Sequence, residues 1–244
     1  MDPTRKRALL AGVFFIITFV TSIPALVLHG PVLNDTHYVL GAGADTRITV
    51  GAFLEVILAI AGIGTAVTLF PVLKRQSEGV ALGYVAARVL ESTVIVVGII
   101  SVMSVVTLRQ DFAGDAGSGA ASFIIAGQTL VAVHKWTFLL GPGFVAGAGN
   151  GLLLGYLMYR SGLVPRPMAV LGLAGGSLAF AAATAELFGV FEQVSAGAAI
   201  ATLPEAVWEA SLGIWLIVKG FRPSPVTADS ARPVADRTPG PTLA

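Results

Sequence analysis

The residues best suited to chemistry are charged side chains inside apolar segments. In the stretch GYVAARVLESTVIVVGII, residues 83–100, Arg88 and Glu91 lie three positions apart. Residues at that spacing share one face of a helix, so their side chains can pair. A lone charge at the centre of a membrane helix costs about 2.5 to 3.5 kcal/mol on insertion scales, and pairing reduces this cost. The spacing predicts either a structural ion pair or part of a site that faces a polar cavity.

A second charged pair lies near the end of the chain, in LPEAVWEASLGIWLIVKG. Glu205 and Glu209 are four residues apart on one helix face, with Trp208 beside them. Two carboxylates at this distance repel each other, so we expect them to share one proton or to bind a cation between them.

Further polar residues reach a similar depth from other segments. Glu55 lies near the start of the second apolar segment, and His134 and Lys135 close a shorter one. Intramembrane ionisable groups usually face a cavity, so we predict that these residues meet in one site. Glu55, Glu91 and Glu209 are the candidates for a general acid or base. The predicted binding set is Arg88, Glu91, Glu55, His134, Lys135, Glu205, Trp208 and Glu209.

The sequence contains no recognisable metal or hydrolase motif. His29, His37 and His134 map to the predicted outer side together with Asp35, and imidazole and carboxylate groups suit zinc. No close ligand spacing such as HExxH accompanies them, and no GxSxG motif occurs. We therefore assign no metal and no cofactor from the sequence.

The composition indicates a membrane protein. The 244 residues are 55% hydrophobic and 12% charged, whereas a soluble domain carries about 25% charged residues. The net charge of +1 is too weak to indicate a nucleic-acid partner. Cysteine does not occur in the sequence, which excludes disulfides and thiolate metal sites. The predicted partners are membrane lipids.

Six apolar segments are predicted to cross the membrane. A bilayer core needs about 20 apolar residues, and irregular backbone cannot face lipid, so each segment should be helical. The fold class is therefore an all-α polytopic transmembrane bundle. The predicted spans are residues 8–28, 50–73, 80–108, 138–159, 168–190 and 203–218.

Residues 119–136, GAASFIIAGQTLVAVHKW, are harder to place. Their uncharged run, residues 120–133, would reach about 21 Å as a helix, short of the roughly 30 Å hydrocarbon core. Basic residues at 5–7 and 74–75 put the N-terminus and the second connection in the cytoplasm. If 119–136 does not cross, Arg160, Arg166 and Arg222 also fall on that side. We predict an outer interfacial or re-entrant helix here and two cytoplasmic termini; seven spans are the alternative.

A repeat of glycines, GxxxGxxxGxxxG, runs from Gly143 to Gly155. Small residues at this spacing let helix backbones approach closely, which predicts a packing role. Asn150 lies within the run and is predicted to form a hydrogen bond across the bundle. Pro142 is predicted to mark the break in helical structure that separates the short helix from the span.

The end of the chain has a different composition. Residues 223–244, PSPVTADSARPVADRTPGPTLA, contain five prolines and almost no large apolar side chain. Such a segment cannot bury enough apolar surface to order itself. The sequence thus predicts a membrane bundle over residues 1–222 and a disordered cytoplasmic tail over 223–244.

Several long stretches resemble a bacterial membrane family, domain of unknown function 4386. They are GAGADTRITVGAFLEVILAIAGIGTAVTLFPVLKRQSEG, LGYVAARVLEST, HKWTFLLGPG, GYLMYRSGLVPR, PEAVWE and WLIVKGF, and they extend over nearly all of the chain before the tail. The resemblance implies a small polytopic protein of the bacterial plasma membrane. It implies no activity and no catalytic residues.

Three functions fit these observations. The first is a bundle that holds a lipophilic small molecule in a polar-lined intramembrane cavity. The second is a membrane enzyme acting on a lipid or isoprenoid, similar in architecture to small terpene cyclases, with one carboxylate as general acid or base. The third is a proton-coupled transporter, although no inverted repeat is evident in the sequence. Whether the protein is an enzyme stays open at this point.

Overall fold

The computed structural model describes residues 2–41, 43–112, 119–190, 192–193 and 195–228. Within these residues, six helices are long and apolar enough to cross a membrane, which confirms the predicted all-α bundle. The first to sixth helices are Pro3–Asn34, Asp45–Leu73, Glu78–Phe112, Ala120–Ser161, Arg166–Leu187 and Ala196–Val218.

The six helices form a closed ring in chain order. Each helix packs against the next one along the chain, and the sixth packs against the first. Gly12 and Gly213 show how closely the ring closes, because a Cβ added to Gly12 would lie 2.6 Å from the carbonyl oxygen of Gly213. A ring of this kind places one face of every helix toward a common centre.

Two hydrophobic cores fill the ends of this ring. The first core joins the start of the first helix to the ends of the second and sixth helices; among its fully buried members are Phe15, Leu69, Leu73, Tyr84, Leu157, Trp208 and Leu212. The second core lies at the opposite end and contains Val32, Tyr38, Val39, Ile48, Val102, Val105 and Val106. Most of the buried polar side chains lie in the middle of the bundle, between these two cores and beside a smaller apolar cluster of Ala52, Ala59, Ile95 and Ile99.

Basic residues tie several chain segments together at the end that holds the first core. Arg5 Nη1 donates to the carbonyl oxygen of Leu216 at 2.8 Å, in the last turn of the sixth helix. The backbone N–H of Arg222 donates to the carbonyl oxygen of Leu163 at 2.8 Å, between the fourth and fifth helices. The start of the first helix and the end of the sixth therefore lie at the same end of the bundle.

The first residues of the predicted tail pack against this end. Pro225–Ala228 form one helical turn. Ser224 Oγ donates to the carbonyl oxygen of Ser161, and Arg75 Nη1 donates to that of Val226 at 3.1 Å. Residues 229–244 lie outside the described residues, and disorder there stays a prediction.

The fourth helix differs from the sequence-based expectation, because residues 119–136 do not form a separate helix. Pro142 lacks the N–H that an α-helix would use. The chain passes it by wider π-helical hydrogen bonding, in which the N–H of Ala146 donates to Gly141. The helix therefore continues past the proline. Its successive stretches are α-helical Ala120–Phe138, π-helical Leu139–Val145 and Gly147–Leu154, and α-helical Gly155–Ser161.

The glycine run of the fourth helix has the packing role that was predicted. A Cβ on Gly151 would lie 2.2 Å from the Cα of Gly176 in the fifth helix. A Cβ on Gly147 would lie 3.2 Å from the carbonyl oxygen of Gly176. No side chain larger than hydrogen fits at Gly151 without moving a backbone, so the glycines set the distance between these two helices.

Candidate functional site

A cavity of about 280 Å³ lies in the middle of the bundle, and all six helices line it. Its charged and histidine side chains fall into two groups. The carboxylate cluster consists of Arg88, Glu91, Glu205 and Glu209, and the histidine cluster consists of His29, Glu55 and His134.

Arg88 forms the centre of the carboxylate cluster. Its Nη1 donates to Glu91 Oε2 at 2.5 Å, and its Nε donates to the carbonyl oxygen of Gly62 at 3.2 Å. The predicted ion pair is therefore confirmed. Gly62 makes room for the guanidinium, since a Cβ there would lie 2.9 Å from Arg88 Nη2.

Glu209 is held by the fourth helix. Asn150 Nδ2 donates to Glu209 Oε1 at 2.6 Å, which confirms the hydrogen bond predicted for Asn150 across the bundle. The backbone carbonyl oxygen of Asn150 accepts a hydrogen bond from Trp208 Nε1 at 3.0 Å. Glu209 also interacts electrostatically with Arg88, so one guanidinium serves carboxylates of two helices.

Glu205 differs from its two neighbours because it has no hydrogen-bond partner. Its side chain is buried, yet neither Oε1 nor Oε2 accepts a hydrogen bond from the described protein groups. Its Oε2 lies over the fourth helix, where a Cβ on Gly151 would come within 2.8 Å. The cluster thus sets three carboxylates against one guanidinium, an arrangement that attracts a cation or a hydrogen-bond donor.

The histidine cluster joins three helices. His29 Nδ1 lies 3.6 Å from Glu55 Oε1, and the His29 and His134 rings meet edge to face with centroids 5.7 Å apart. His134 Nδ1 lies 3.3 Å from the carbonyl oxygen of Gly98. One donor atom of each side chain lies within 4.8 Å of the others.

Both histidines sit over glycines of neighbouring helices. A Cβ on Gly51 would lie 2.7 Å from His29 Nε2, in the region where the Ile48 backbone interacts with the ring. A Cβ on Gly98 would lie 3.2 Å from His134 Nδ1. Alanine at either position would push an imidazole out of place.

The two clusters occupy different depths of one cavity. Glu91 and Gly98 belong to the same helix and are seven residues apart, which is about 10 Å along its axis. Glu91 belongs to the carboxylate cluster, and Gly98 contacts His134, which belongs to the histidine cluster. A ligand of moderate length could touch both clusters at once.

Six of the eight predicted binding residues line the cavity, and two do not. Lys135 is exposed and lines a second cavity of about 220 Å³, next to the second core. Trp208 belongs to the first core and is fully buried. The residues that line the central cavity are Arg88, Glu91, Glu55, His134, Glu205 and Glu209.

His29 was missed as a site residue, although it was noted as an outer histidine. The available signal was a lone imidazole directly after the first predicted span, and nothing in the sequence joined it to Glu55 or His134. His37 and Asp35, the other residues considered for a metal, are exposed in the connection after the first helix. The backbone N–H of His37 donates to Asp35 Oδ1 there.

Comparison with protein families shows which family the chain belongs to. A family model described as Domain of unknown function (DUF4386) matches residues 10–220. The chain belongs to this family. Both clusters lie inside the matched DUF4386 region, so the cavity is part of the family domain. Comparisons with curated proteins and with solved structures match nothing. As a DUF4386 member with six apolar helices, it is an integral membrane protein.

Proposed function

We propose that this protein holds a small lipophilic molecule in its central cavity, and that the molecule carries a hydroxyl or amine group. The polar group lies at the carboxylate cluster, and the apolar part lies against the surrounding helices. The proposal also places the basic end of the bundle, with both termini, on the cytoplasmic side of the plasma membrane, following the positive-inside rule.

The unpartnered carboxyl of Glu205 carries this proposal. A buried polar group without a hydrogen bond costs about 1 to 3 kcal/mol, and buried polar groups in native proteins nearly always have partners. Glu205 is 7% exposed and has none among the described groups. A ligand with an O–H or N–H donor supplies the missing bond, and a cationic amine also offsets the excess of carboxylates.

The rest of the cavity wall suits an apolar body. Phe19, Leu26, Leu58, Ile95 and Phe138 all line it. Its volume of about 280 Å³ is just below the range for small-molecule sites, roughly 300 to 1,000 Å³. A whole phospholipid does not fit this space, so the occupant is a small molecule.

Two observations favour binding over the other functions considered. Packed cores lie between the cavity and both ends of the bundle, so a proton-coupled transporter would have to open each of them in turn. Of the three candidates for acid–base catalysis in a membrane enzyme, Glu91 is paired with Arg88 and Glu209 is bonded to Asn150. The third candidate, Glu55, belongs to the histidine cluster, and its Oε2 has no hydrogen-bond partner among the described groups.

Mass spectrometry of the extracted small molecules tests the proposal. The full chain is purified in a mild detergent, and the lipophilic species that co-purify are quantified per protein. We expect one species near one equivalent in the wild type and at least a tenfold loss in Glu205→Met, since methionine removes both carboxylate oxygens and keeps a similar length.

Glu186→Met is the matched control, because Glu186 is a partly buried carboxylate outside the cavity lining. It should retain the bound species. The proposal fails if no species approaches one equivalent, or if Glu205→Met retains as much as the control. A bound species that differs chemically from the one supplied in growth or reconstitution would instead indicate catalysis.

A further inference from the structure

We propose that the histidine cluster, His29, Glu55 and His134, binds a divalent transition-metal ion, with zinc as the first choice. This inference goes beyond the proposed function and does not depend on it, since metal binding can be measured without any lipophilic ligand.

The donor atoms have the right chemistry and nearly the right spacing. Two imidazole nitrogens and one carboxylate oxygen are ligands that zinc accepts at about 2.0 to 2.2 Å, and tetrahedral geometry then puts them about 3.3 Å apart. In the protein they lie within 4.8 Å of one another. The donor atoms have to approach one another by about 1.5 Å to reach that spacing.

The burial of unsatisfied donor atoms is an independent sign of a missing partner. His29 is 1% exposed; its ring interacts with the Ile48 backbone and its Nδ1 lies 3.6 Å from Glu55 Oε1, but neither ring nitrogen makes a hydrogen bond of good geometry with the described groups. Glu55 Oε2 is likewise buried without a partner. Buried polar atoms on two helices that face each other without hydrogen bonds are rare in proteins. An ion between them satisfies both.

His134 is oriented in the way that metal-bound histidines usually are. Such a histidine donates its second ring N–H to a carboxylate, a backbone carbonyl or water, which fixes the tautomer. His134 Nδ1 faces the carbonyl oxygen of Gly98 at 3.3 Å. With the proton on Nδ1, Nε2 keeps its lone pair for a metal. Gly98 makes this contact possible, because a Cβ there would crowd Nδ1.

The ligand set also indicates the kind of metal and the kind of site. Imidazole favours zinc, copper, iron or nickel over magnesium and calcium, which prefer oxygen ligands throughout. Three protein ligands leave at least one coordination position open. Since all three side chains line the central cavity, that position faces the cavity. The site therefore has the coordination of a reactive metal centre and differs from a closed structural one.

Titration of the metal-free protein tests the inference. The full chain in detergent is stripped with a chelator, and Zn²⁺ is added in competition with a chromophoric chelator. Co²⁺ then reports the coordination geometry by its visible absorption. We expect one ion per chain and a tetrahedral or five-coordinate Co²⁺ spectrum. Affinity should fall at least tenfold in His134→Gln and in Glu55→Gln.

His37→Gln is the matched control, because His37 is exposed and lies beside the same end of the first helix. It should bind zinc as the wild type does. Equal affinity in all variants, or a loss confined to His37→Gln, would overturn the site, and so would less than half an ion per chain. If His134→Gln does not fold, Glu55→Gln decides the question, since it keeps the size of a partly exposed side chain.

Discussion

Arg88 and Glu91 pair inside the bundle, with 2.5 Å between Arg88 Nη1 and Glu91 Oε2 and less than a tenth of either residue exposed. The pair itself follows from helix geometry, because residues three apart lie on one face. Its burial follows from the ring of helices, which turns this face toward the cavity. Glu209 and the carbonyl oxygen of Gly62 add two further interactions from other helices.

Arg88→Ala should strongly destabilise the protein. Removing one partner of a buried ion pair costs about 3 to 5 kcal/mol, since the remaining charge is left unpaired. The yield of monodisperse protein and its unfolding temperature should both fall, and adding Glu91→Ala should recover part of the loss. Arg160→Ala, at an exposed arginine, is the control and should change neither quantity. A double variant no better than Arg88→Ala alone would argue against the pair.

Gly151→Ala should separate the fourth and fifth helices. The added Cβ would meet the Cα of Gly176 at 2.2 Å, and a backbone cannot move aside as a flexible side chain can. Overpacking of this kind costs about 1 to 3 kcal/mol, measurable as a lower unfolding temperature in detergent. Gly79→Ala is the matched control, because a Cβ at Gly79 meets nothing within 4 Å. Equal unfolding temperatures would show that the helices do not pack this closely.

Trp208→Phe should lower stability without changing what the cavity holds. The substitution removes the 3.0 Å hydrogen bond from Nε1 to the carbonyl oxygen of Asn150 and leaves that oxygen buried, at a cost of about 1 to 3 kcal/mol. Denaturant unfolding measures the first effect, and quantified co-purifying molecules measure the second. If the variant instead loses a bound molecule at unchanged stability, Trp208 is a binding residue, as predicted from the sequence.

The orientation of the bundle can be tested with reporter fusions. Fusions after Arg75, Arg166 and Arg222 should all report the cytoplasm, since basic connections are retained there. A fusion after Asp115, in a segment outside the described residues, should report the opposite side. An external signal after Arg166 would mean that the long fourth helix does not cross the membrane once, and that seven segments cross instead.

The sequence alone was sufficient to predict those features whose physical cause lies within a single helix. The length of each apolar segment predicted six membrane helices because the bilayer core sets how many residues must be buried. The spacing of Arg88 and Glu91 predicted their pairing, and the GxxxG spacing predicted close packing around Gly151. All three depend on properties of a single helix, namely its rise per residue and which residues share one of its faces.

Other features depended on how the helices meet. His29, Glu55 and His134 come from three helices, so no spacing along the chain indicates that their donor atoms lie within 4.8 Å of one another. Trp208 and Glu209 are adjacent in sequence, yet the rotation of the sixth helix directs Trp208 into the first core and Glu209 into the cavity. Pro142 was expected to mark a break between two helices, and π-helical hydrogen bonds carry one helix past it. In each case the tertiary structure decided, because the depth and rotation of a helix are set by the surfaces of its neighbours.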